Sequence, residues 1–187
     1  NFRSAIEKNL IEQLSLVTAT CDYRRQYRPA WHLDPELAGG GVLVRECYEV
    51  TDLIVGTFGV PDQVYALMTN TASDRQQRHS ITEDSAVITM RYGNDFCVDM
   101  VATRAQGPDT TNEIIKCTGR NAILTLNDKS LRIDNRQGQK IKQKRFKYEP
   151  EIALKEAMES FAISIIEPQE HPLKCSGREH LKNMAVI

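Results

Sequence analysis

Residues 34–52 read DPELAGGGVLVRECYEVTD, three glycines running directly into an amphipathic pattern. A glycine cluster ahead of a helix is either a phosphate cradle or a backbone device that lets the helix start in a tight space. The choice bears on fold class, because a dinucleotide cradle belongs to a parallel β-α-β unit. That fingerprint requires GxGxxG between a strand and a helix, with an acidic residue about 20 positions on. Gly39 and Gly41 supply the first pair, but Val44 occupies the third position. The preceding Pro35-Glu36-Leu37-Ala38 has no strand character, and no Gly-Lys-Ser/Thr follows to make a P-loop. The glycines therefore read as a tight turn and a close helix entry.

The helix itself is predicted from about Val42 to Phe58, ending at Gly59 with Val60-Pro61 behind it. Leu43, Cys47, Val50, Ile54 and Phe58 share one face, which should lie on a sheet. Arg45, Glu49 and Asp52 share the opposite face. Spacing alone allows a solvated face with an Arg45–Glu49 pair contributing about 0.2–0.5 kcal/mol, or a functional face.

Working outward, Ser4 to Ile11 predicts a short capped helix, and Leu14 to Tyr23 alternates with many β-branched residues, a strand. Residues 24–38 read as a long loop. After the central helix come strands near Gln63–Thr69, Ser85–Tyr92, Phe96–Arg104, Glu113–Cys117, Ala122–Leu126, Ser130–Asp134 and Lys140–Tyr148. Gly93-Asn94-Asp95 turns one hairpin. From Glu151 the period is helical again, with Leu154, Met158, Phe161 and Ile165 as an expected buried stripe. A last helix begins near Gly177. The order gives one α+β domain over residues 1–187, with a large, open, mostly antiparallel sheet and helices on one face.

Composition narrows the function. The chain has 187 residues, 41% of them hydrophobic, and 24 Lys+Arg against 25 Asp+Glu, so no global charge points to nucleic acid or a membrane surface. No apolar run approaches the roughly 20 residues of a spanning helix, and the first residues lack the pattern of a signal peptide. Cys21, Cys47, Cys97, Cys117 and Cys175 contain no CxxC pair; they read as small core residues in a reducing cytoplasm, with no metal site. The start at Asn1, inside helical pattern, suggests a fragment of a longer protein. The run RQGQKIKQKRFK at 136–147 holds six basic residues. On an edge hairpin they discourage strand addition more simply than they bind RNA, which would want interleaved aromatics.

One family resemblance follows from these residues. Trp31-His32-Leu33-Asp34, then Ala38 to Leu43, then Asp52-Leu53 and Gly59 resemble the C-terminal domain of the glucose–fructose oxidoreductase / inositol dehydrogenase / rhizopine catabolism family. Its pattern is W-x-x-D, G-G-G-x-L, then a helix with H-x-x-D and a closing glycine. Gly119 to Leu124 resembles that family's G-T-x-G-x-L turn, and Phe161 to Gly177 its F-x-x-x-I helix with P-x-x-x-G.

The resemblance implies a fold like the glyceraldehyde-3-phosphate dehydrogenase C-terminal domain, and a substrate-binding and oligomerisation role in an NAD(P)-dependent oxidoreductase of sugars, polyols or sugar derivatives. NAD or NADP would be held mainly by an N-terminal Rossmann domain outside this chain, together with the family's E-K-P lysine. No cofactor-binding residue is expected here. Partners would be that missing domain, a small-molecule substrate and a second copy, as a homodimer or homotetramer joined through the sheet; nucleic acid and membrane are not expected.

The family's catalytic histidine falls on Glu49 and its preceding acidic residue on Arg45, while Asp52 matches. A carboxylate is a weaker base than imidazole unless burial raises its pKa. Three alternatives stay open: Glu49 is an altered base, the proton goes elsewhere, or the chain is a non-catalytic scaffold. Trp31, His32, Asp34 and Tyr48 would line the substrate cleft; for Trp31, core packing under the loop is the competing reading. Arg24, Arg25 and Arg28 could meet an anion or simply be solvated. His79, His171 and His180 look scattered.

Overall fold

The computed structural model describes residues 2–23, 30–70, 82–104, 112–147, 149–173 and 176–187. Arg24, Arg25, Arg28, His79 and Cys175 lie outside the described residues.

Among the described residues, eight strands form one sheet in the order β2-β3-β4-β1-β5-β6-β7-β8. They are β1 (Leu16–Asp22), β2 (Gln63–Thr69), β3 (Ser85–Tyr92), β4 (Phe96–Thr103), β5 (Asn112–Thr118), β6 (Ala122–Leu126), β7 (Ser130–Asn135) and β8 (Lys140–Arg145). β1 is inserted at the centre, parallel to β4 and antiparallel to β5; every other pairing is antiparallel. The expected α+β class with an open, mostly antiparallel sheet is the class found. The basic segment forms β8, an exposed edge strand.

Alternation sorts the two faces of the sheet. Val17, Ala19 and Cys21 of β1, Ile88 and Met90 of β3, and Val98, Met100 and Ala102 of β4 point into the core. Helices α1 (Phe2–Glu7), α2 (Pro35–Ala38), α3 (Val42–Arg45) and α4 (Tyr48–Phe58) lie before or between these strands in sequence. Val42, Leu43, Val50, Ile54 and Val55 join the same core, and Ile54 is fully buried. Cys21, Cys47 and Cys117 are buried within it, as expected for small core residues, and burial pushes the Cys117 thiol up to about 12. The opposite face carries a row of Leu67, Val87, Val101, Thr20 and Ile114, matched strand to strand; Leu67, Val87 and Val101 are exposed.

Three details differ from the periodicity. First, α1 stops at Glu7 because Asn9 turns left-handed, with φ 51°. Second, the expected Val42–Phe58 helix is two helices, α3 and α4, broken at Glu46-Cys47. The third concerns α5 (Pro150–Ile166). Its stripe, expected to be buried, is exposed along its whole length, Phe161 by 55%. Ile152, Ala153 and Glu156 instead face the body of the domain, beside α4. At 100° per residue these sit across the cylinder from Leu154, Met158, Phe161 and Ile165.

Candidate functional site

The glycine turn is shaped by a carboxylate of the chain itself. Gly39 ends α2 in the left-handed region, φ 74°, a conformation glycine adopts without a Cβ penalty. At Gly41 the backbone passes so close to Glu83 that any side chain would run into the Glu83 carbonyl. Gly41 N–H donates to Glu83 Oε2 at 2.8 Å and Leu43 N–H to Glu83 Oε1 at 3.0 Å, while Val42 N–H donates to the Glu83 carbonyl at 3.0 Å. Those amides are the donors an anionic phosphate would need. They are already bonded to Glu83, so this turn does not fit a dinucleotide pyrophosphate.

The break between α3 and α4 re-aims the side chains that follow. The Glu46 carbonyl accepts from the Tyr23 hydroxyl at 2.6 Å, and Arg104, buried, lies 3.7 Å from the Glu46 carboxylate. Arg45 therefore ends α3 and does not stack one turn below Glu49. Its guanidinium lies over the Trp31 ring, 5.9 Å from the centroid, and Trp31 in turn meets His32 edge-on at 3.8 Å. Trp31 is 51% exposed, so it is not packed under the loop. Asp34 caps α2, accepting from Glu36 N–H at 2.9 Å.

Two flanks of α4 flare from its outer side. On one, Glu49 and Leu53 border a cavity of ≈510 Å³ with Glu113, Ile115, Leu126 and Phe146. Burial, then the nearby Glu49, holds the Glu113 carboxyl above its usual range, although the Tyr23 hydroxyl at 2.7 Å pulls the other way. That hydroxyl has one proton and two acceptors, Glu46 O and Glu113 Oε1. Both contacts are satisfied at once when Glu113 is protonated and donates to it.

On the other flank, Tyr48 and Asp52 meet α6 (Gly177–Met184), whose start is capped by Ser176. Tyr48 Oη lies 2.7 Å from His180 Nδ1, with the two rings stacked at 5.9 Å. Asn183, almost fully buried, donates to Asp52 Oδ1 at 2.5 Å and lies 3.5 Å from Tyr48 Oη. His180 Nδ1 is 3.9 Å from Asp52 Oδ1. A furrow of ≈590 Å³ opens here over Gly56, bordered by Asp52, His180, Asn183, Arg3 and Lys182.

Six of the seven residues proposed from the sequence thus fall into three groups: Trp31, His32 and Arg45 together; Glu49 beside Glu113; Tyr48 and Asp52 against α6. Asp34 stands apart, in its cap. Sequence reasoning missed His180 and Asn183. Their i, i+3 spacing behind a serine cap places them on one helix face, but 128 positions separate His180 from Asp52 and no local pattern links them. Elsewhere, Glu167, Glu170 and His171 meet at the exposed end of α5, His171 pairing with Glu167 at 3.5 Å. No described helix is long and apolar enough to cross a membrane.

The class the fold defines is the open-sheet α+β domain found at the C-terminal end of oxidoreductases of this kind. The family model for the GFO/IDH/MocA C-terminal domain matches residues 1–121, and the chain belongs to that family. No curated protein sequence matches it. Among solved structures, aldose-aldose oxidoreductase from Caulobacter crescentus superposes with a TM-score of 0.76 at 14% identity, over 98% of this chain and 54% of its own. WlbA dehydrogenase from Bordetella pertussis, in complex with NADH and UDP-GlcNAcA, gives 0.69 at 18%, over 98% and 54%. UDP-N-acetylglucosamine 3-dehydrogenase from Acidithiobacillus ferrooxidans gives 0.69 at 16%, over 97% and 54%. The chain spans about half the length of these structures, and at such identities the likeness is one of fold.

Proposed function

We propose that the chain is the substrate-binding and self-associating half of an NAD(P)-dependent oxidoreductase acting on a sugar, polyol or sugar derivative. The observation that carries this is family membership combined with a polar outer face on α4, where Glu49 and Asp52 border two cavities. Similar folds bind NADH with a nucleotide sugar, or with levoglucosan. The nicotinamide, when bound, accepts a hydride; its dinucleotide phosphates need a seat other than the glycine turn that Glu83 fills, which supports a Rossmann domain elsewhere on the polypeptide. Self-association through the sheet is supported by the exposed Leu67, Val87 and Val101. The four cysteines among the described residues are unpaired, which fits a cytoplasmic setting.

A second reading, a scaffold that has lost the chemistry, draws on Glu49 standing where the family motif has histidine. The deciding experiment assays the protein with its cofactor domain, on a panel of sugars and polyols with NAD⁺ and NADP⁺. Turnover that falls in Glu49→Gln or Asp52→Asn supports the enzyme; tight sugar binding with no turnover supports the scaffold.

A further inference from the structure

The α4–α6 furrow contains a histidine whose surroundings are those of a base. We propose that His180, held through Nδ1 by Tyr48 and with Asp52 nearby, accepts the proton of a substrate hydroxyl at Nε2; this rests on the oxidoreductase reading above and names a residue for it. Three observations support it. The ring is oriented twice, by the 2.7 Å contact of Nδ1 with Tyr48 Oη and by stacking on the Tyr48 ring. The Asp52 carboxylate, 3.9 Å from Nδ1 and itself tied to Asn183, favours the tautomer with its proton on Nδ1 and stabilises the imidazolium once formed. Nε2 has no partner among the described residues, and the His180 side chain is 41% exposed at the furrow.

The furrow suits a hydroxyl-rich ligand. Asp52, Asn183 and Thr57 offer acceptors and donors, and its volume lies within the range of small-molecule sites. The step is a proton transfer: the O–H bond breaks, its electron pair stays on oxygen, and an N–H bond forms at Nε2. An imidazole, with an ordinary pKa near 6.5, is matched to this task at neutral pH. Glu49 lies on the other flank of α4, beside Glu113, and does not border this furrow. The titratable and charged groups around His180 are Asp52 and Tyr48 from α4, Glu179 and Lys182 from α6 itself, and Arg3 from α1.

The test has two arms. In the protein with its cofactor domain, His180→Gln should lower kcat by about 100-fold or more and remove the acid limb of the pH–rate profile, with NADH binding and melting unchanged. Tyr48→Phe, which keeps the stack and removes the hydroxyl, should displace that limb. In this chain alone, imidazole NMR should show the His180 signals moving on titration with D-glucose or myo-inositol. Wild-type turnover and an unchanged pH profile in His180→Gln would overturn the proposal while leaving the oxidoreductase reading intact. A wild-type protein inactive on every polyol sinks that reading; His180 signals unmoved by saturating polyol would then remove the furrow as well.

Discussion

Helices α4 and α5 both carry an apolar stripe at helical spacing, yet α4 buries its stripe against the sheet and α5 holds its own out in solvent. Period states which face of a helix is apolar; it says nothing about what covers that face. For α4 the cover is the inner side of β1, β3 and β4. For α5 nothing among the described residues covers Leu154, Met158, Phe161 and Ile165, a patch of the kind that marks an interaction surface.

The contrast can be broken most directly with large-to-small substitutions. Ile54→Ala should cost about 2–5 kcal/mol in chemical denaturation of this chain, whereas Phe161→Ala should stay within about 0.5 kcal/mol. Similar losses for the two would show that α5 is packed in solution. Next in size, Gly41→Ala sharpens the account of how α4 is brought onto the sheet. Its Cβ collides with backbone at Glu83, so a loss of about 1–3 kcal/mol is expected, and a neutral result would mean that the turn relaxes freely.

The smallest effect lies in the cavity between the two helices. Glu113 has a folded-state pKa raised above its ordinary value near 4.5, so the folded state holds its proton more tightly than the unfolded chain. That contribution is fully present below the ordinary value and is lost as pH rises through the raised one. Glu113→Gln should therefore flatten the decline in stability across that window in pH-dependent melts. An identical slope in wild type and variant would refute the assignment.

Much of the fold was legible in the chain because it is written locally. β2, β3 and β6 have the bounds that their alternation predicts, and the glycine turn was distinguishable from a phosphate cradle by what it lacked. The parallel insertion of β1 beside β4 was not legible, since register between distant strands leaves no mark in either one. The break at Glu46-Cys47 escaped notice for a similar reason: Tyr23 and Arg104, which hold it, come from elsewhere in the sequence. Of the site, Glu49 and Asp52 could be placed on the outer side of α4 by counting. His180 could not, because its partners are chosen by the docking of α6 on α4, more than a hundred positions earlier in the chain.

Glu83 carries one consequence for the order of assembly. Because the turn ahead of α3 brings its own carboxylate, it can close with no nucleotide present. The start of α3 then keeps its shape through contacts internal to the fold, with Glu83 serving as a built-in clasp.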